Sequence, residues 1–273
     1  MNPPAPPLII GHRGAAAVAP ENTLASFARA FADGADGIEF DVRLARDHVP
    51  VVIHDATLRR TAARPGLVSA LTAAELAAAD VGSWFNRRFP ARARAEYAGA
   101  GVPTLAEVLE LSKPHGGVLY VELKCERGDA QTLAARVVAT LHEHGAEANV
   151  VVESFTLAAV AEVRRLAPHL RTAALFERRL ARPLPTTRTL LARARACGAH
   201  ELALQHTLVN ARTLAAARQA GFPVVVWTVD NPARLRRLIS LGVRAVITND
   251  PARMAARLAE LHRTPGLNAE VQS

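Results

Sequence analysis

Three short stretches near the start of the chain carry residue types that can act on a phosphate ester. His12 and Arg13 follow the apolar run LII, Glu39 and Asp41 lie within GIEFDV, and His54 ends the run VVIH. Histidines titrate near neutral pH and can exchange protons with reacting oxygens, whereas arginine binds phosphoryl oxygens. Hydrolysis of a phosphodiester needs charge neutralisation, a proton acceptor and a proton donor, and this set of residues supplies all three.

A divalent metal ion is the second expectation. Glu39 and Asp41 are two residues apart in a β-rich run, so their side chains point to the same face of a strand. Adjacent carboxylates repel each other, and a cation between them removes the conflict. We expect Glu122, which ends the run VLYVE, as the third ligand and Lys124 beside it on the same face. Ligands that offer only oxygen favour Mg²⁺ or Ca²⁺ over Zn²⁺.

The elements that must position these groups alternate between short β-rich runs and helical periodicity, which is typical of parallel βαβ units. The pattern predicts strands at 8–11, 37–42, 118–123, 150–154, 172–176, 201–204, 224–228 and 245–248. It predicts helices at 24–33, 72–79, 104–111, 130–144, 157–166, 187–197, 211–220, 232–241 and 251 to about 262. Eight β/α units predict an α/β fold of the TIM (β/α)8 barrel type, with reactive groups at the C-terminal ends of the strands.

Length and composition indicate a globular protein. A chain of 273 residues fits one barrel domain over 1–273, with an insertion at about 56–101 and a flexible tail at 264–273. No apolar run is long enough for a membrane span, and the first residues lack the pattern of a secretory signal. The lack of such a signal favours a cytoplasmic location, and in that reducing compartment the two cysteines, which are far apart in the sequence, are expected to be free thiols.

A net charge of +8 raises the possibility of a nucleic-acid partner. The arginines, however, are spread over many helices opposite Ala/Leu stripes, which favours a solvated basic surface. We therefore expect no nucleic acid and no stable membrane anchor. The oligomeric state is not indicated by the sequence.

Several motifs occur in one order and together resemble the glycerophosphodiester phosphodiesterase family. They are HRG at 12–14, PENT at 20–23, GIEFDV at 37–42, VVIHD at 51–55 followed by LRRT, VPTLAEVL at 102–109, VELK at 121–124, SF at 154–155 and WTVD at 227–230. The resemblance implies a metal-dependent enzyme that hydrolyses glycerophosphodiesters to sn-glycerol 3-phosphate and an alcohol. It implies an insertion over the barrel mouth and the roles already given: His12 and His54 in acid/base catalysis, Arg13 and Lys124 at the phosphate, and Glu39, Asp41 and Glu122 at the metal.

Other positions have two interpretations. Trp227 either walls the substrate's glycerol or fills the top of the barrel, and Phe155, the other pocket candidate, is also explained by packing. Glu21 and Asn22 either orient the groups of the site or belong to a helix cap. Asp230 stands where the family commonly has asparagine, and Asn249 where it often has aspartate. Because neither is a proposed ligand, we expect these departures to affect substrate preference and not chemistry.

Two other functions compete with this interpretation. A lysophospholipase D-like relative would share the barrel and both histidines, but an apolar groove or membrane-facing patch would mark it. A catalytically inactive basic binding module would have lost a histidine or a ligand, and all of them are present here.

Overall fold

Eight parallel strands close into a barrel, which confirms the predicted TIM-barrel fold. The computed structural model describes residues 5–126, 128–178 and 185–263. Its strands are β1 (Leu8–His12), β2 (Gly37–Leu44), β3 (Pro50–Val52), β4 (Val118–Leu123), β5 (Val150–Ser154), β6 (Arg171–Phe176), β7 (Glu201–Gln205), β8 (Val224–Trp227) and β9 (Ala245–Thr248). The sheet order is β1-β9-β8-β7-β6-β5-β4-β2-β3, and pairing of β1 with β2 closes the ring.

Helices surround the strands and begin where suitable capping residues occur. They are α1 (Leu24–Ala32), α2 (Ala73–Ala77), α3 (Ser83–Arg88), α4 (Leu105–Ser112), α5 (Ala130–Glu143), α6 (Leu157–Leu166), α7 (Thr187–Ala196), α8 (Ala211–Gln219), α9 (Leu235–Ser240) and α10 (Pro251–Arg263). Thr23 and Thr104 accept backbone N–H groups at the starts of α1 and α4, and Pro251 is the first residue of α10. Among the described residues, no helix is both long and apolar enough to cross a membrane.

The core has two layers. Inside the barrel, small and branched side chains such as Ile10, Val151 and Val225 pack together with Tyr120. Between the strands and the helices, larger apolar clusters surround Phe27 and Phe40 on one side and Leu204 and Val226 on the other. This packing holds the strand ends rigidly, and the strand ends carry the candidate site.

The run that carries His54 is not predicted as one of the barrel strands, and its structure is a hairpin. β3 pairs antiparallel with β2, so that Val42 lies opposite Val52. The link from Leu44 to Pro50 is far too short for a crossover to a parallel strand, which takes about a dozen residues or more. Ile53 N–H donates to the Asp41 carbonyl at 2.9 Å, and His54 thereby reaches the barrel mouth.

The segment predicted as an insertion follows β3 and packs firmly. Leu58, Leu76 and Val81 are buried against Val51 and Ile53. Another cluster joins Phe85 and Tyr97 to Ala19, which follows β1. The predicted tail at 264–273 lies outside the described residues.

Candidate active site

Three carboxylates meet at the C-terminal mouth of the barrel. Glu39 and Asp41 alternate along β2, and Glu122 on β4 is the register partner of Asp41. One carboxylate oxygen from each residue lies within 4.8 Å of the others, and all three side chains are buried. The structure thus brings together the three predicted ligands, because side chains two apart on one strand share a face and neighbouring parallel strands end at the same rim.

Two cations lie against this triad. Lys124 Nζ is 3.0 Å from Asp41 Oδ1 and 2.7 Å from Glu122 Oε1. Arg13 Nε is 3.1 Å from Asp41 Oδ2, and the Arg13 backbone N–H donates to Glu39 Oε2 at 3.1 Å. Arg13 adopts a positive φ of 51°, which is rare for a residue other than glycine, and in this conformation both its N–H and its guanidinium contact the triad.

The three carboxyl groups differ in their electrostatics. Burial and, to a smaller extent, the neighbouring Asp41 carboxylate together raise the pKa of Glu39 and of Glu122 to about 8. Burial also opposes ionisation of Asp41, but Arg13 and Lys124 outweigh it and hold the pKa of Asp41 below its ordinary range. The site therefore has more carboxylates than its two cations can neutralise.

A further buried carboxyl group was not expected from the sequence. Glu153 on β5 is the register partner of Glu122, and its Oε2 is buried without a hydrogen-bond partner. Burial, with Glu39 and Glu122 nearby, raises its pKa well above the ordinary range. One feature of the sequence could have indicated it. Glu153 lies near the end of the otherwise apolar run VVVES, two positions after Val151, so the two side chains share the face that points into the barrel.

The triad fits a divalent cation. Its three buried carboxyl groups outnumber the two cations that contact them, Arg13 and Lys124. Buried negative charge that is not fully neutralised is costly. An all-oxygen set with three carboxylates is the set that Mg²⁺ or Ca²⁺ binds.

His12, at the end of β1, has its two ring nitrogens in different surroundings. Nε2 faces the triad and lies 3.8 Å from Glu39 Oε2, whereas Nδ1 lies 2.7 Å from Oδ1 of Asn249. Burial and the neighbouring Arg13 lower the pKa of His12. Asn249 is 237 residues from His12, and no local pattern connects the two. The contact shows that Asn249, a position expected to affect substrate preference only, also adjoins a proposed catalytic residue.

His54 is the end of a chain of alternating charges. Its Nδ1 contacts Asp55 Oδ1 at 2.7 Å, and Asp55 Oδ2 accepts from Arg60 Nε at 2.6 Å. Arg60 donates two bonds to Glu21, and Glu21 accepts from Arg13 Nη1 at 2.8 Å. Burial lowers the pKa of His54, while the negative charge of Asp41 opposes the shift. This series of ion pairs connects His54 to Arg13, which itself contacts Asp41 of the triad.

The PENT motif at 20–23 both orients groups of the site and caps a helix, through different residues. Asn22, with a positive φ of 55°, donates from Nδ2 to Asp41 Oδ2 at 2.8 Å, whereas Thr23 caps α1. Glu21 holds Arg13 and Arg60. Glu21 and Asn22 therefore orient charged groups of the site, and the cap is made by Thr23.

The two aromatic pocket candidates contact each other at the rim. The rings of Phe155 and Trp227 are edge to face, with centroids 5.5 Å apart. Lys124 Nζ lies 5.8 Å from the centre of the Phe155 ring, and Trp227 Nε1 is buried without a partner. They form one wall beside the triad, and contact with a substrate stays a prediction for both.

An open cleft of about 670 Å³ lies between the segment after β3 and the barrel mouth. Trp84, Arg88 and Phe89 line it on one side, and Asn249 and Arg253 line it on the other. Because Asn249 also contacts His12, the cleft adjoins the candidate site.

The chain is similar to known phosphodiesterases over almost its whole length. The model of the glycerophosphoryl diester phosphodiesterase family matches residues 12–253. A glycerophosphodiester phosphodiesterase of Caldanaerobacter subterraneus is 32% identical over 244 residues, covering 89% of this chain and 94% of that protein. Another, from Bacillus subtilis, is 31% identical over 250 residues, covering 89% and 84%. The structure of an Oleispira antarctica phosphodiesterase in complex with the product sn-glycerol-3-phosphate superimposes with a TM-score of 0.82 at 27% identity, covering 93% of this chain and 97% of that one.

Proposed function

Because this chain belongs to the glycerophosphoryl diester phosphodiesterase family, we propose that it hydrolyses glycerophosphodiesters to sn-glycerol 3-phosphate and an alcohol with a divalent metal ion and two histidines. The observation that carries the proposal is the buried cluster of Glu39, Asp41 and Glu122 with Lys124 and Arg13 against it. Each of these side chains comes from a strand end or a loop at the same mouth of the barrel, where enzymes of this fold carry their active sites.

Glu39, Asp41 and Glu122 would hold Mg²⁺ or Ca²⁺, which when bound neutralises negative charge on the phosphoryl oxygens. Arg13 and Lys124 bind the same oxygens and counter the charge that develops during hydrolysis. Both cations contact the Asp41 carboxylate, and these ion pairs position them at the site.

His12 and His54 carry the protons. One takes the proton of the attacking nucleophile, which is water or a substrate hydroxyl, and the other donates a proton to the leaving alcohol. Each has its Nδ1 held by a neighbouring side chain, so that Nε2 is the nitrogen left to react. Two histidines at one mouth allow both transfers without movement of the barrel strands.

The substrate is proposed to be a small glycerophosphodiester. The Oleispira antarctica phosphodiesterase, with a similar fold, was solved with sn-glycerol-3-phosphate, and the wall of Phe155 and Trp227 here offers an apolar surface to a glycerol carbon chain. Within the described residues, Leu67 and Leu166 are the exposed large hydrophobic side chains, and they belong to different segments. Two separate leucines do not form the apolar groove that a lysophospholipid would need, which favours a small substrate. Cytoplasmic residence stays a prediction.

A substrate panel tests the function directly. The protein is incubated with glycerophosphodiesters that differ in the alcohol, and with a lysophospholipid, and release of sn-glycerol 3-phosphate and of choline is measured with and without chelator. We expect glycerol 3-phosphate from the glycerophosphodiesters only with the metal present. Preferential cleavage of the lysophospholipid would favour the lysophospholipase D alternative, and no cleavage of any diester would favour the non-catalytic one.

A further inference from the structure

Three consecutive strand ends of the barrel place one hydrogen-bonded group behind His12. His12 ends β1, Asn249 follows β9, and Asp230 lies shortly after β8, and these strands are neighbours in the sheet. The backbone of this group is held as well, because Ala17 N–H donates to the Asn249 carbonyl at 2.9 Å. His12 Nδ1 therefore meets Asn249 Oδ1 at 2.7 Å on a rigid rim.

Asp230 determines which end of the Asn249 amide faces the histidine. Its carboxylate accepts from Thr248 Oγ1 at 3.2 Å, from the Asn249 backbone N–H at 2.9 Å and from Asn249 Nδ2 at 2.8 Å. The Thr248 hydroxyl itself accepts the Asp250 N–H at 3.2 Å, so its proton is available for Asp230. An ionised carboxylate can only accept, which requires the NH₂ end of Asn249 to face Asp230 and the carbonyl oxygen to face His12.

The orientation of the amide in turn determines the proton position on His12. An amide oxygen only accepts, so Nδ1 of His12 must be the N–H nitrogen. In the neutral imidazole the lone pair is then on Nε2, the nitrogen that faces the carboxylate triad. His54 reaches the same tautomer through the Asp55 carboxylate, whereas His12 reaches it through a neutral amide held by a second residue.

We propose that Asn249 and Asp230 are positioning residues that hold His12 in the Nδ1–H tautomer with its Nε2 lone pair toward the reacting oxygens. The consequence for catalysis rests on the proposed function of His12. Neither residue touches the substrate's phosphate in this role. They act through His12, and loss of either lets the imidazole rotate or adopt the other tautomer, which places an N–H where a lone pair is required.

Nitrogen-15 NMR of the full-length protein tests the tautomer without any assay of activity. Histidines are labelled, and the signals of His12 are assigned by their loss in His12→Gln. At a pH where His12 is neutral, we expect Nδ1 to show the shift of a protonated nitrogen and Nε2 that of an unprotonated one. An Nε2–H tautomer in the native protein would overturn the proposal. This measurement stands even if His12 proves dispensable for hydrolysis, which would refute the proposed function instead.

An exchange of the two residues tests the coupling. N249D places two carboxylates where a 2.8 Å hydrogen bond was, and D230N frees the Asn249 amide to turn, because a second amide can donate as well as accept. In D230N/N249D the carboxylate at 249 again accepts from His12 and from the amide at 230. We expect each single variant to lose about 10- to 100-fold in kcat with a smaller change in KM, the range known for residues that orient metal-binding histidines through their second nitrogen.

The double variant should recover most of that loss, because the acceptor for His12 and its donor partner are both restored. Thermal unfolding of all three variants shows whether they are folded, and a merely structural pair would change the melting temperature without this recovery of kcat. A double variant whose loss equals the product of the two single losses would overturn the proposal.

Discussion

The Lys124 ammonium lies 2.7 Å from Glu122 Oε1, inside the group of carboxylates that is proposed to hold the metal ion. The same ammonium is 3.0 Å from Asp41 Oδ1. Lys124 thus neutralises part of the charge of the carboxylates, and its own positive charge opposes binding of a metal cation to them. The Lys124 charge should therefore weaken metal binding but assist hydrolysis, and the two effects can be measured separately.

Replacement of Lys124 by methionine should therefore change metal affinity and turnover in opposite directions. We expect Mg²⁺ to bind about tenfold more tightly, because a like charge a few ångströms away is removed and solvent screens part of the effect. We expect kcat/KM to fall by about 10² to 10³, the cost of losing one group that stabilises transition-state charge. Calorimetric titration with Mg²⁺ and steady-state kinetics measure the two effects, and weaker metal binding would show that Lys124 supports the ligands.

Chelation and one conservative substitution test the metal ligands. Excess EDTA should abolish turnover and Mg²⁺ or Ca²⁺ should restore it, because the triad offers only oxygen. Glu39→Gln should weaken metal binding and turnover together. The matched control is Glu153→Gln, since the raised pKa of Glu153 keeps it protonated and an amide of the same shape replaces it. Full turnover of metal-free protein, or equal losses in both variants, would contradict the assignment.

The stability of the metal-free protein should fall as pH rises from about 4.5 to about 8. Folding raises the pKa of Glu39 and Glu122 from 4.5 to about 8, so in this window the folded state binds more protons than the unfolded state. Stability falls with pH wherever that is so. The lowered pKa values of His12 and His54 act in the opposite sense below pH 6.5, so the fall of stability should be clearest between pH 6.5 and about 8. The lowered pKa of Asp41 acts only below 3.8.

Denaturant unfolding at several pH values measures this dependence. Glu39→Gln/Glu122→Gln should show a flatter profile than the parent when both are metal-free. Saturating Mg²⁺ should also flatten the parent's profile, because bound carboxylates are ionised in the folded state. A metal-free parent whose stability rises steadily across the window would show that these two groups ionise in the fold without difficulty.

The two histidines should each matter, and not additively. His12→Ala and His54→Ala are expected to cost about 10² to 10⁴ in kcat, the usual contribution of general acid or base catalysis. The double variant should lose far less than the product, because the two act as a unit. A diester with a nitrophenolate leaving group, which needs no proton, should partly rescue the variant that lacks the acid. Rescue of neither variant would refute the division of roles.

The barrel and the carboxylate triad follow from local patterns in the sequence. Glu39 and Asp41 share a face because they are two apart on a strand, and the parallel alternation of elements places Glu122 at the same rim. β2 and β4 pair because consecutive parallel strands of a barrel lie next to each other, and this pairing brings Asp41 beside Glu122. Short-range spacing and one topological rule therefore predict the metal ligands.

The supporting groups do not follow from local patterns. Asn249 is 237 residues from His12, and the two residues meet only because the first and last strands of the barrel, β1 and β9, pair. Asp230 and Asn249 are 19 residues apart and meet because β8 and β9 are neighbours, but no local pattern shows that their side chains bond to each other. Considered separately, each was a departure from the family pattern without consequence for chemistry, whereas in the structure they are hydrogen-bonded to each other. The placement of His54 is similar. It follows β3, whose antiparallel pairing with β2 is not predicted, because periodicity does not show in which direction a short apolar run pairs.

The cleft beside the site should select among leaving alcohols. Arg88 and Arg253, from different segments of the chain, both line it, and Asn249 connects it to His12. Removal of the whole segment after β3 is a poor test, because Phe85 and Tyr97 are fully buried and their loss would expose the barrel. Arg88 is exposed and lies over the Phe89 ring, so Arg88→Ala changes the charge of the cleft without opening the core.

We expect Arg88→Ala to lower kcat/KM for glycerophosphoserine, whose alcohol carries a carboxylate, by about three- to tenfold relative to glycerophosphocholine, the size of one partly exposed ion pair. Metal affinity and hydrolysis of a nitrophenyl diester should be unchanged, since Arg88 contacts neither the triad nor the histidines. Arg236→Ala on α9, an exposed arginine outside the cleft, is the matched control and should keep the parent's ranking of substrates. An Arg88→Ala variant that also keeps that ranking would show that the alcohol does not leave through this cleft.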